Sequence, residues 1–368
     1  MKIVVLGTRG IPNIQGGVET HCQELYPRLA DLGCDVTILT RKPYIQSDDL
    51  EYKSVKLKHL FAPKSKSLEA IVHTFLGVIH AYFLKPDILH IHAIGPSIMV
   101  PFAKLLGLRV VVTNHGPDYD RQKWGRIAKF MLRLGEKLGT KSADKVIAIS
   151  NTIKNILETK YNRNDCIIIP NGVNIPNMAS DSSYIESLGL QKKKYIVGVG
   201  RFVPEKGFHD LIKAYIKLDN KEYKLVLVGD ADHETNYSRN LKKLAKSNEV
   251  TLTGFIQGEE LNEIFSYARL FVMPSYHEGL PIALLEAISY NLDVLVSDIP
   301  ANREVDLEKR YYFKTGDINM LTHQLRTRLE NNNYKCDFKE IIQKKYNWQM
   351  IALQVLDAYK ISINAITK

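Results

Sequence analysis

Short runs rich in valine, isoleucine and leucine alternate with longer segments of helical periodicity along the whole chain. In the first half, the apolar runs predict strands at Lys2–Leu6, Val36–Thr40, Ile88–Ile91, Arg109–Thr113 and Lys145–Ile149. Helices are predicted near 17–32, 68–84, 97–106, 124–138 and 151–161. Such alternation is typical of parallel sheets covered by helices, so the pattern predicts an α/β fold with one doubly wound sheet in this half.

The same pattern starts again after residues 171–183, a polar stretch without periodicity that has the composition of a linker. The strands predicted beyond it are Lys194–Val199, Lys224–Val228, Val250–Thr253, Leu270–Met273 and Val294–Ser297. We therefore predict two Rossmann-like domains in tandem, 1–178 and 184–347. The segment 348–368 carries an apolar stripe at helical spacing, and we expect a helix that packs back across both domains.

Length and composition agree with two folded domains. The chain has 368 residues, 45% of them apolar and 24% charged, and a single core stops growing at roughly 250 to 300 residues. The four cysteines show no C-x-x-C spacing, which argues against a zinc site and a disulfide framework. The apolar run after Met1 is too short for a signal peptide, and the longest run, Ala70–Leu84, is too short to span a bilayer. We therefore expect a cytoplasmic protein.

Positive charge is concentrated in the first half of the chain. Residues 1–180 hold 24 Lys and Arg against 15 Asp and Glu, whereas residues 181–368 hold 26 against 25, so the net charges are +9 and +1. A basic half attracts phosphate groups, and nucleic acid, an anionic membrane and a phosphorylated substrate all remain open as partners.

Residues 121–145 carry eight of these cations. Interleaved with them at helical spacing are the apolar residues Trp124, Ile127, Met131, Leu134 and Leu138. The segment predicts a helix that buries this apolar face and turns its basic face either to solvent or to anionic lipid headgroups.

A glycine-rich loop follows the first predicted strand and opens the first helix. It runs from Gly7 to Gly17 with the sequence GTRGIPNIQGG. Glycine lets a ligand approach the backbone closely, and amides at a helix N-terminus bind anions. The spacing is not G-x-G-x-x-G, and no acidic residue follows the second strand at Thr40 and Arg41, which disfavours a dinucleotide site. The alternative is a turn that serves the fold alone.

A second loop of this kind runs from Gly198 to Gly207, after the first strand of the second half. It carries Arg201 and Lys206, which can converge on one diphosphate, the arginine as a planar fork and the lysine as a point charge. On spacing alone, a solvated loop with ordinary surface charges is an equal alternative.

The most specific pattern is PSYHEGLPIALLEA, residues 274–287, which follows the predicted strand Leu270–Met273. Pro281 is well placed in the first turn of a helix, because the N–H that proline lacks would have no helical partner there. Glu278 then lies in the loop and Glu286 in the second helical turn. Carboxylates at two levels of one site can hold sugar hydroxyls and ribose hydroxyls separately.

Together these motifs resemble the retaining glycosyltransferases of family four, and the resemblance covers nearly the whole chain. The frame is P-S-x-x-E-G-x-P-x-x-x-L-E-A, and PNGV at 170–173 and GF at 254–255 also match. The motifs GTRGIP at 7–12 and GGVET at 16–20, with the segment 115–125, look like a subgroup associated with bacterial surface polysaccharides, including rhamnosyltransferase-like members. The resemblance implies the GT-B fold, in which two Rossmann-like domains face each other across a cleft.

The resemblance also implies roles for individual residues. Gly17 would contact the donor diphosphate, Arg201 and Lys206 would neutralise it, and Glu286 and Glu278 would bind the ribose and the donor sugar. The full set expected at the donor is Gly16, Gly17, Arg201, Lys206, Gly254, Phe255, Leu280, Ile282 and Glu286. The set expected at the reaction is His115, Glu278, Arg201 and Lys206.

His115 matches the histidine of the family's first domain that lies near the reacting carbon, although a lone histidine after a strand is by itself more often structural. The resemblance implies retention of anomeric configuration. It also implies that no metal or other cofactor is needed, because fixed positive charges stabilise the leaving diphosphate. The expected partners are a nucleotide-sugar donor, a glycan or lipid-linked acceptor and, weakly through the first domain, the anionic inner face of a membrane, but not nucleic acid.

Three other classes are alternatives. A GT-B-shaped isomerase of nucleotide sugars, such as a 2-epimerase, would turn over the donor without an acceptor. A nucleic-acid-binding protein could use the basic half, but no recognised binding motif is present. A nicotinamide oxidoreductase is disfavoured by the missing dinucleotide fingerprint.

Overall fold

The computed structural model describes residues 1–45, 49–63, 69–120, 125–231, 233–331 and 337–364. The chain forms two compact units, one that joins Met1–Gly172 to Asn347–Lys368 and one that contains Val173–Tyr346. The first stretch of the first unit thus ends at Gly172, whereas the sequence placed this boundary at 178. The difference arises because the polar stretch joins the second unit directly after Gly172, where the Val173 amide donates to the Tyr346 carbonyl oxygen at 2.8 Å.

The first unit is built on an eight-stranded sheet within the described residues. Its strands are β1 (Lys2–Leu6), β2 (Asp35–Arg41), β3 (Glu51–Tyr52), β4 (Val55–Leu60), β5 (Ile88–His92), β6 (Val110–Asn114), β7 (Lys145–Ala148) and β8 (Ile167–Ile168). Their order in the sheet is β3-β4-β2-β1-β5-β6-β7-β8, and only β3 is antiparallel to its neighbour. The order reverses between β1 and β5. The central strands are buried runs of Val, Ile and Leu because helices cover both faces of the sheet.

The helices of this unit include α1 (Gly17–Asp31), α2 (Glu69–Leu84), α3 (Val100–Leu105), α4 (Arg126–Ser142) and α5 (Asn151–Tyr161). Strand β4 was not predicted, and its sequence VKLKHL explains the omission. Val55 and Leu57 are buried while Lys56 and Lys58 are exposed, so the strand shows the alternation of a half-buried position rather than an apolar run.

The second unit contains a six-stranded parallel sheet. Its strands are β9 (Tyr195–Val199), β10 (Lys224–Val228), β11 (Thr251–Gly254), β12 (Leu270–Met273), β13 (Val294–Ser297) and β14 (Tyr312–Phe313). Its helices are α6 (Ser183–Ser187), α7 (Phe208–Leu218), α8 (Asn236–Ser247), α9 (Gly258–Tyr267), α10 (Ile282–Ser289), α11 (Pro300–Arg303), α12 (Ile318–Glu330) and α13 (Lys339–Lys345). The strand order β11-β10-β9-β12-β13-β14 is that of a doubly wound nucleotide-binding sheet, and it reverses between β9 and β12.

Short 3₁₀ turns complete the chain at Lys42–Tyr44, Pro96–Met99, Asp118–Asp120, Pro204–Lys206 and Lys309–Tyr311. The turn that contains Lys206 comes directly before α7, and the turn at Asp118–Asp120 follows shortly after β6. Both therefore lie beyond the carboxyl ends of strands.

The last helix, α14 (Trp348–Asn364), belongs to the first unit. Trp348, Ile351 and Val355 are buried in the same core as Cys22 and Leu25 of α1. The sequence predicted that this segment packs back across both domains. The structure shows its packing in the first unit, and a contact with the second unit stays a prediction.

Helix α4 corrects one expectation from the sequence. Ile127 was expected on the buried face, but it is 82% exposed, and Phe130 is 63% exposed. The helix packs instead through small residues, because a side chain on Gly135 would lie 2.1 Å from the Ile94 carbonyl oxygen and one on Gly139 would lie 2.5 Å from Ser97 Cβ. Residues 121–124, which include Trp124, lie outside the described residues.

None of the helices in the described ranges is both long enough and apolar enough to cross a bilayer. This includes α2, which contains the longest apolar run of the sequence. Its inward face carries polar residues as well, since His73 and Thr74 are buried beside Gly77 and Val78.

We expect Ile351→Ala to destabilise the first unit by about 2 to 5 kcal/mol, since it removes a side chain that is 1% exposed from the contact between α14 and α1. Met350→Ala is the matched control on the same helix, because Met350 is 52% exposed and its removal should change the free energy of unfolding by less than about 0.5 kcal/mol.

The measurement is urea unfolding followed by tryptophan fluorescence. Trp124 and Trp348 are the two tryptophans of the chain and both belong to the first unit, so the signal is specific to it. Equal midpoints for the two variants would contradict the packing of α14 described above.

Candidate functional site

The loops that follow β9 and β12 leave the second sheet at the point where its strand order reverses. In doubly wound sheets, ligands bind at the carboxyl ends of the strands at such a switch point. The loop after β9 holds Arg201 and Lys206, and the loop after β12 holds Glu278. Three of the predicted site residues are therefore placed by the topology of the sheet.

Lys206 and Glu278 are in direct contact. Lys206 Nζ donates to Glu278 Oε1 at 2.6 Å, and the two side chains are only 17% and 12% exposed. Ser275 Oγ donates to the same carboxylate oxygen at 2.7 Å. The backbone joins the two loops as well, since the Tyr276 amide donates to the Glu205 carbonyl at 2.8 Å. The structure thus brings a cation and a carboxylate, both predicted to bind the donor, into one partly buried ion pair.

Gly207 makes this close approach of the two loops possible. Its φ of +66° is in the left-handed region, and a side chain there would lie 2.1 Å from the Pro274 carbonyl oxygen. Only glycine meets both conditions without displacement of the backbone. Gly207 ends the turn that carries Lys206, so the position of the ammonium group depends on it.

A second group of polar side chains lies beside this pair and was not anticipated from the sequence. The Tyr276 hydroxyl donates to Asp210 Oδ2 at 2.5 Å, and the Tyr276 ring stacks on His209. Burial and the bond to Asp210 raise the pKa of Tyr276 to about 12. A sequence pattern could not link Asp210 to Tyr276, because Asp210 lies in α7, Tyr276 lies in the loop after β12, and the two are 66 positions apart.

The other residues predicted at the donor lie along the carboxyl edge of the same sheet or in α10. Arg201 follows β9 and is partly exposed, and Glu286 lies in α10 with intermediate exposure. Pro281 precedes α10 as its N-cap instead of occupying the first turn. Leu280 is buried and Ile282, the first residue of α10, is partly exposed.

Gly254 and Phe255 lie at the end of β11, two strands away from β9. Gly254 has a φ of +73° with open space where a side chain would be, and Phe255 is 44% exposed. These two residues thus share the edge of the sheet with Arg201 but belong to its outermost strand. Their assignment to the donor stays a prediction.

In the first unit, the glycine-rich loop is held together by an ion pair. The Arg9 amide and Arg9 Nε each lie 3.1 Å from Glu19 Oε1. Burial tends to raise the pKa of Glu19, but the charge and hydrogen bonds of Arg9 outweigh it and lower the pKa. A side chain on Gly16 would lie 2.1 Å from Glu19 Oε2, whereas a Cβ atom added to Gly17 would have none of the described atoms within 4 Å. Gly16 therefore has a structural reason to be glycine, and Gly17 leaves room at the start of α1.

His115 belongs to a buried network of imidazoles and hydroxyls. His92 Nδ1 and His115 Nε2 are 3.0 Å apart, and His92 Nε2 bonds to the Tyr26 hydroxyl. The chain of contacts continues from Tyr26 to His90 Nδ1 at 2.9 Å and from His90 Nε2 to Thr113 Oγ1 at 2.7 Å. The orientation of the His115 ring is thus fixed by its contact with His92 of β5, which is held in turn by Tyr26 of α1.

A third histidine, His21 of α1, lies beside this network. Its Nδ1 is 3.0 Å from Asn171 Oδ1, and Asn171 is part of the PNGV motif. Burial lowers the pKa of His21 to about 3, with a further contribution from the charge that His115 would carry. Burial, with His90, likewise lowers the pKa of His115 to about 3. All these rings are therefore neutral at physiological pH.

His115 was predicted from the sequence as a site residue, whereas His21 and His92 were not. One signal was present, since His90 lies on the predicted strand Ile88–Ile91 and His92 directly follows it, and residues two positions apart on an extended chain point to the same face. No signal linked them to His21 or His115, because the fold alone brings α1, β5 and the loop after β6 together.

Two families of glycosyltransferases match successive parts of the chain. Residues 15–176 match the family described as Glycosyltransferase Family 4, and residues 181–345 match the family described as Glycosyl transferases group 1. The O-antigen chain mannosyltransferase RfbU of Salmonella typhimurium is 29% identical over 235 residues, which cover 60% of this chain and 64% of RfbU.

Two solved structures share the fold. Sucrose-phosphate synthase from Thermosynechococcus elongatus has a TM-score of 0.82 at 23% identity, with 99% of both chains covered. HepE from Anabaena, in complex with UDP and glucose, has a TM-score of 0.81 at 18% identity and covers 98% of this chain and 99% of its own. These similarities confirm the GT-B fold class that the sequence predicted.

We expect Gly207→Ala to destabilise the second unit more than Gly258→Ala does. Both glycines have a similar positive φ, +66° and +60°, which costs an alanine about 1 kcal/mol or more. Only at position 207 would the added methyl group also meet a backbone oxygen, whereas position 258 has no atom within 4 Å. Hydrogen exchange resolved to the second unit measures the difference, and equal protection in the two variants would contradict the tight approach of the loops.

Proposed function

The chain belongs to glycosyltransferase family 4, and on this basis we propose that it transfers a sugar from a nucleotide-diphosphate sugar to a glycan or lipid-linked acceptor in bacterial surface polysaccharide synthesis, with retention of anomeric configuration. The observation that carries the donor assignment is the ion pair of Lys206 and Glu278 at the switch point of the second sheet. RfbU, as an O-antigen chain mannosyltransferase, supports the assignment to a surface polysaccharide.

Donor binding exchanges the partners of this ion pair. A diphosphate carries more negative charge than one carboxylate, so it attracts the ammonium of Lys206 away from Glu278. Glu278 is then left to accept hydrogen bonds from hydroxyls of the donor sugar, and Ser275 keeps its carboxylate oriented. Arg201 acts on the same diphosphate as a planar fork, and Glu286 accepts from the ribose hydroxyls.

The reaction needs stabilisation of negative charge on the leaving diphosphate. As the bond between the sugar and the phosphate oxygen breaks, Lys206 and Arg201 neutralise that oxygen. The acceptor hydroxyl forms the new bond on the same face of the sugar, and its proton passes to the leaving phosphate oxygen. Because the cations belong to the protein, the transfer requires no divalent metal. His115, which is neutral, contributes a hydrogen bond to the sugar near the reacting carbon.

We expect Arg201→Ala and Glu286→Ala each to lower turnover by a factor of about 10 to 100 or more, since each removes a charge-assisted contact worth about 1.5 to 3 kcal/mol. The assay measures release of UDP, GDP or dTDP from a panel of nucleotide sugars with a lipid-linked acceptor. HepE bound to UDP and glucose makes UDP-sugars the first donors to test.

Arg239→Ala is the matched control for this assay. Arg239 lies on α8 in the same unit with its side chain 49% exposed, and its loss should leave turnover unchanged. The assay contains excess EDTA. Normal turnover in a folded Arg201 or Glu286 variant would refute the site assignment, and turnover that appears only after Mg²⁺ or Mn²⁺ is added would refute metal independence.

The exposed face of α4 supports a peripheral location on the inner face of the plasma membrane. Ile127 and Phe130 are 82% and 63% exposed at the start of this helix, and Arg126 and Arg133 are exposed on the same side. Apolar side chains that insert into the interface, flanked by cations that attract anionic headgroups, are typical of helices that bind membranes in the interface plane.

We expect the protein to sediment with anionic liposomes, and binding should fall as salt rises, because each basic residue near the surface contributes on the order of 1 kcal/mol. The triple variant with Arg126, Lys129 and Arg133 changed to Ser should bind more weakly. The control variant changes Arg239, Lys243 and Lys246 of α8 to Ser, which removes the same charge from the second unit. Equal binding of both variants, or equal binding to neutral and anionic liposomes, would contradict the proposal.

A further inference from the structure

Three imidazoles converge in the first unit beyond the carboxyl ends of β5 and β6. One ring nitrogen from each of His21, His92 and His115 lies within 4.8 Å of the other two. His21 and His92 are buried, and His115 is partly exposed. They come from α1, the end of β5 and the loop after β6, so three separate elements present them to one point.

The spacing of the rings matches a shared metal ion. The ring centroids are 5.4 Å apart for His21 and His92, 5.1 Å for His21 and His115, and 5.3 Å for His92 and His115. Imidazoles bound to one tetrahedral zinc at about 2.0 to 2.1 Å have centroids separated by about 5 Å. The rings are therefore already at the right distance, and adjustments of their tilt bring the nitrogens to bonding distance.

The outer nitrogens of the cluster have the partners that metal-bound histidines require. His21 Nδ1 can donate to Asn171 Oδ1, which leaves the lone pair of His21 Nε2 for the ion. His92 Nε2 contacts the Tyr26 hydroxyl, so the hydrogen of this ring can move to that side and leave Nδ1 for the ion. The hydrogen bond between His92 and His115 is replaced by two bonds to the metal. Such outer partners fix the tautomer and orientation of the ligands.

The donor atoms of the cluster are three imidazole nitrogens. Such a set suits Zn²⁺, Co²⁺, Ni²⁺ or Cu²⁺ and disfavours Mg²⁺ and Ca²⁺, which prefer oxygen.

We propose that His21, His92 and His115 form a site for one borderline divalent cation such as Zn²⁺, with a fourth position open at the exposed side of His115. The ion is not needed for sugar transfer. When the ion is bound, it is coordinated by the Nε2 lone pair of His115, and this bond holds the His115 ring in the cluster. The site therefore allows a transition metal to inhibit the protein, whereas EDTA leaves it active. Metal binding itself does not depend on the proposed transferase activity.

The test is titration of the untagged protein with Co²⁺, followed by visible absorption. A four-coordinate site with three nitrogen ligands gives intense bands, whereas Co²⁺ bound loosely at the surface in six-coordinate form gives weak ones. We expect intense bands that saturate at about one Co²⁺ per chain and are displaced by Zn²⁺. Weak bands only, or no saturation, would overturn the site.

Variants assign the signal to the cluster. His21→Asn and His115→Asn should each abolish the intense bands or weaken affinity by about 100-fold. His80→Asn is the matched control, because His80 is a partly exposed histidine of the same unit on α2, outside the cluster. Circular dichroism identifies folded variants, and His115, the least buried ligand, is the one whose replacement the fold tolerates best. Bands that persist in folded His115→Asn, or that vanish in His80→Asn, would overturn the assignment.

Discussion

Parallel strands deliver the loops that follow them to one edge of a sheet, and both units of this protein depend on that constraint. Where the strand order reverses, two such loops diverge and leave room for a ligand. In the second unit this point lies between β9 and β12, and Lys206 meets Glu278 there. In the first unit it lies between β1 and β5, where the glycine-rich loop begins and His92 ends a strand.

Burial then decides what the side chains at these points can do. Lys206 and Glu278 are mostly shielded from water, where an ion pair is stronger than at the surface, so each holds the other in place until a ligand competes. In the first unit, burial lowers the pKa of His21 and of His115 to about 3, so these two rings are neutral. One unit therefore presents fixed charges suited to a diphosphate, and the other presents neutral nitrogens suited to hydrogen bonds or to a metal ion.

Much of the fold could be predicted from the sequence, because the apolar runs of central strands are unambiguous. The predicted bounds of β1, β10, β12 and β13 are those of the structure. The GT-B fold and the family were also predicted, from the motif that contains Glu278 and Glu286. Strand β4 was missed because it is half-buried, and Ile127 was placed on the wrong face because α4 packs through glycines.

The contacts within the sites were harder to predict than the residues. Lys206 and Glu278 were both proposed, but their ion pair joins positions 72 apart in the chain. Asn171 was noted only as part of a motif, and its bond to His21 spans 150 positions. Helical or strand periodicity contains no information about such pairs, which follow from crossovers and strand order.

The central claim is that the second unit holds a nucleoside diphosphate at the β9 and β12 switch point. The most direct measurement is a crystal structure of the protein grown with UDP, GDP or dTDP in the absence of divalent metal. We predict density for the diphosphate against Arg201 and Lys206, the ribose at Glu286, and a Lys206 ammonium that has moved away from Glu278. A nucleotide bound elsewhere, or one bound there while the Lys206–Glu278 pair stays closed, would contradict this account.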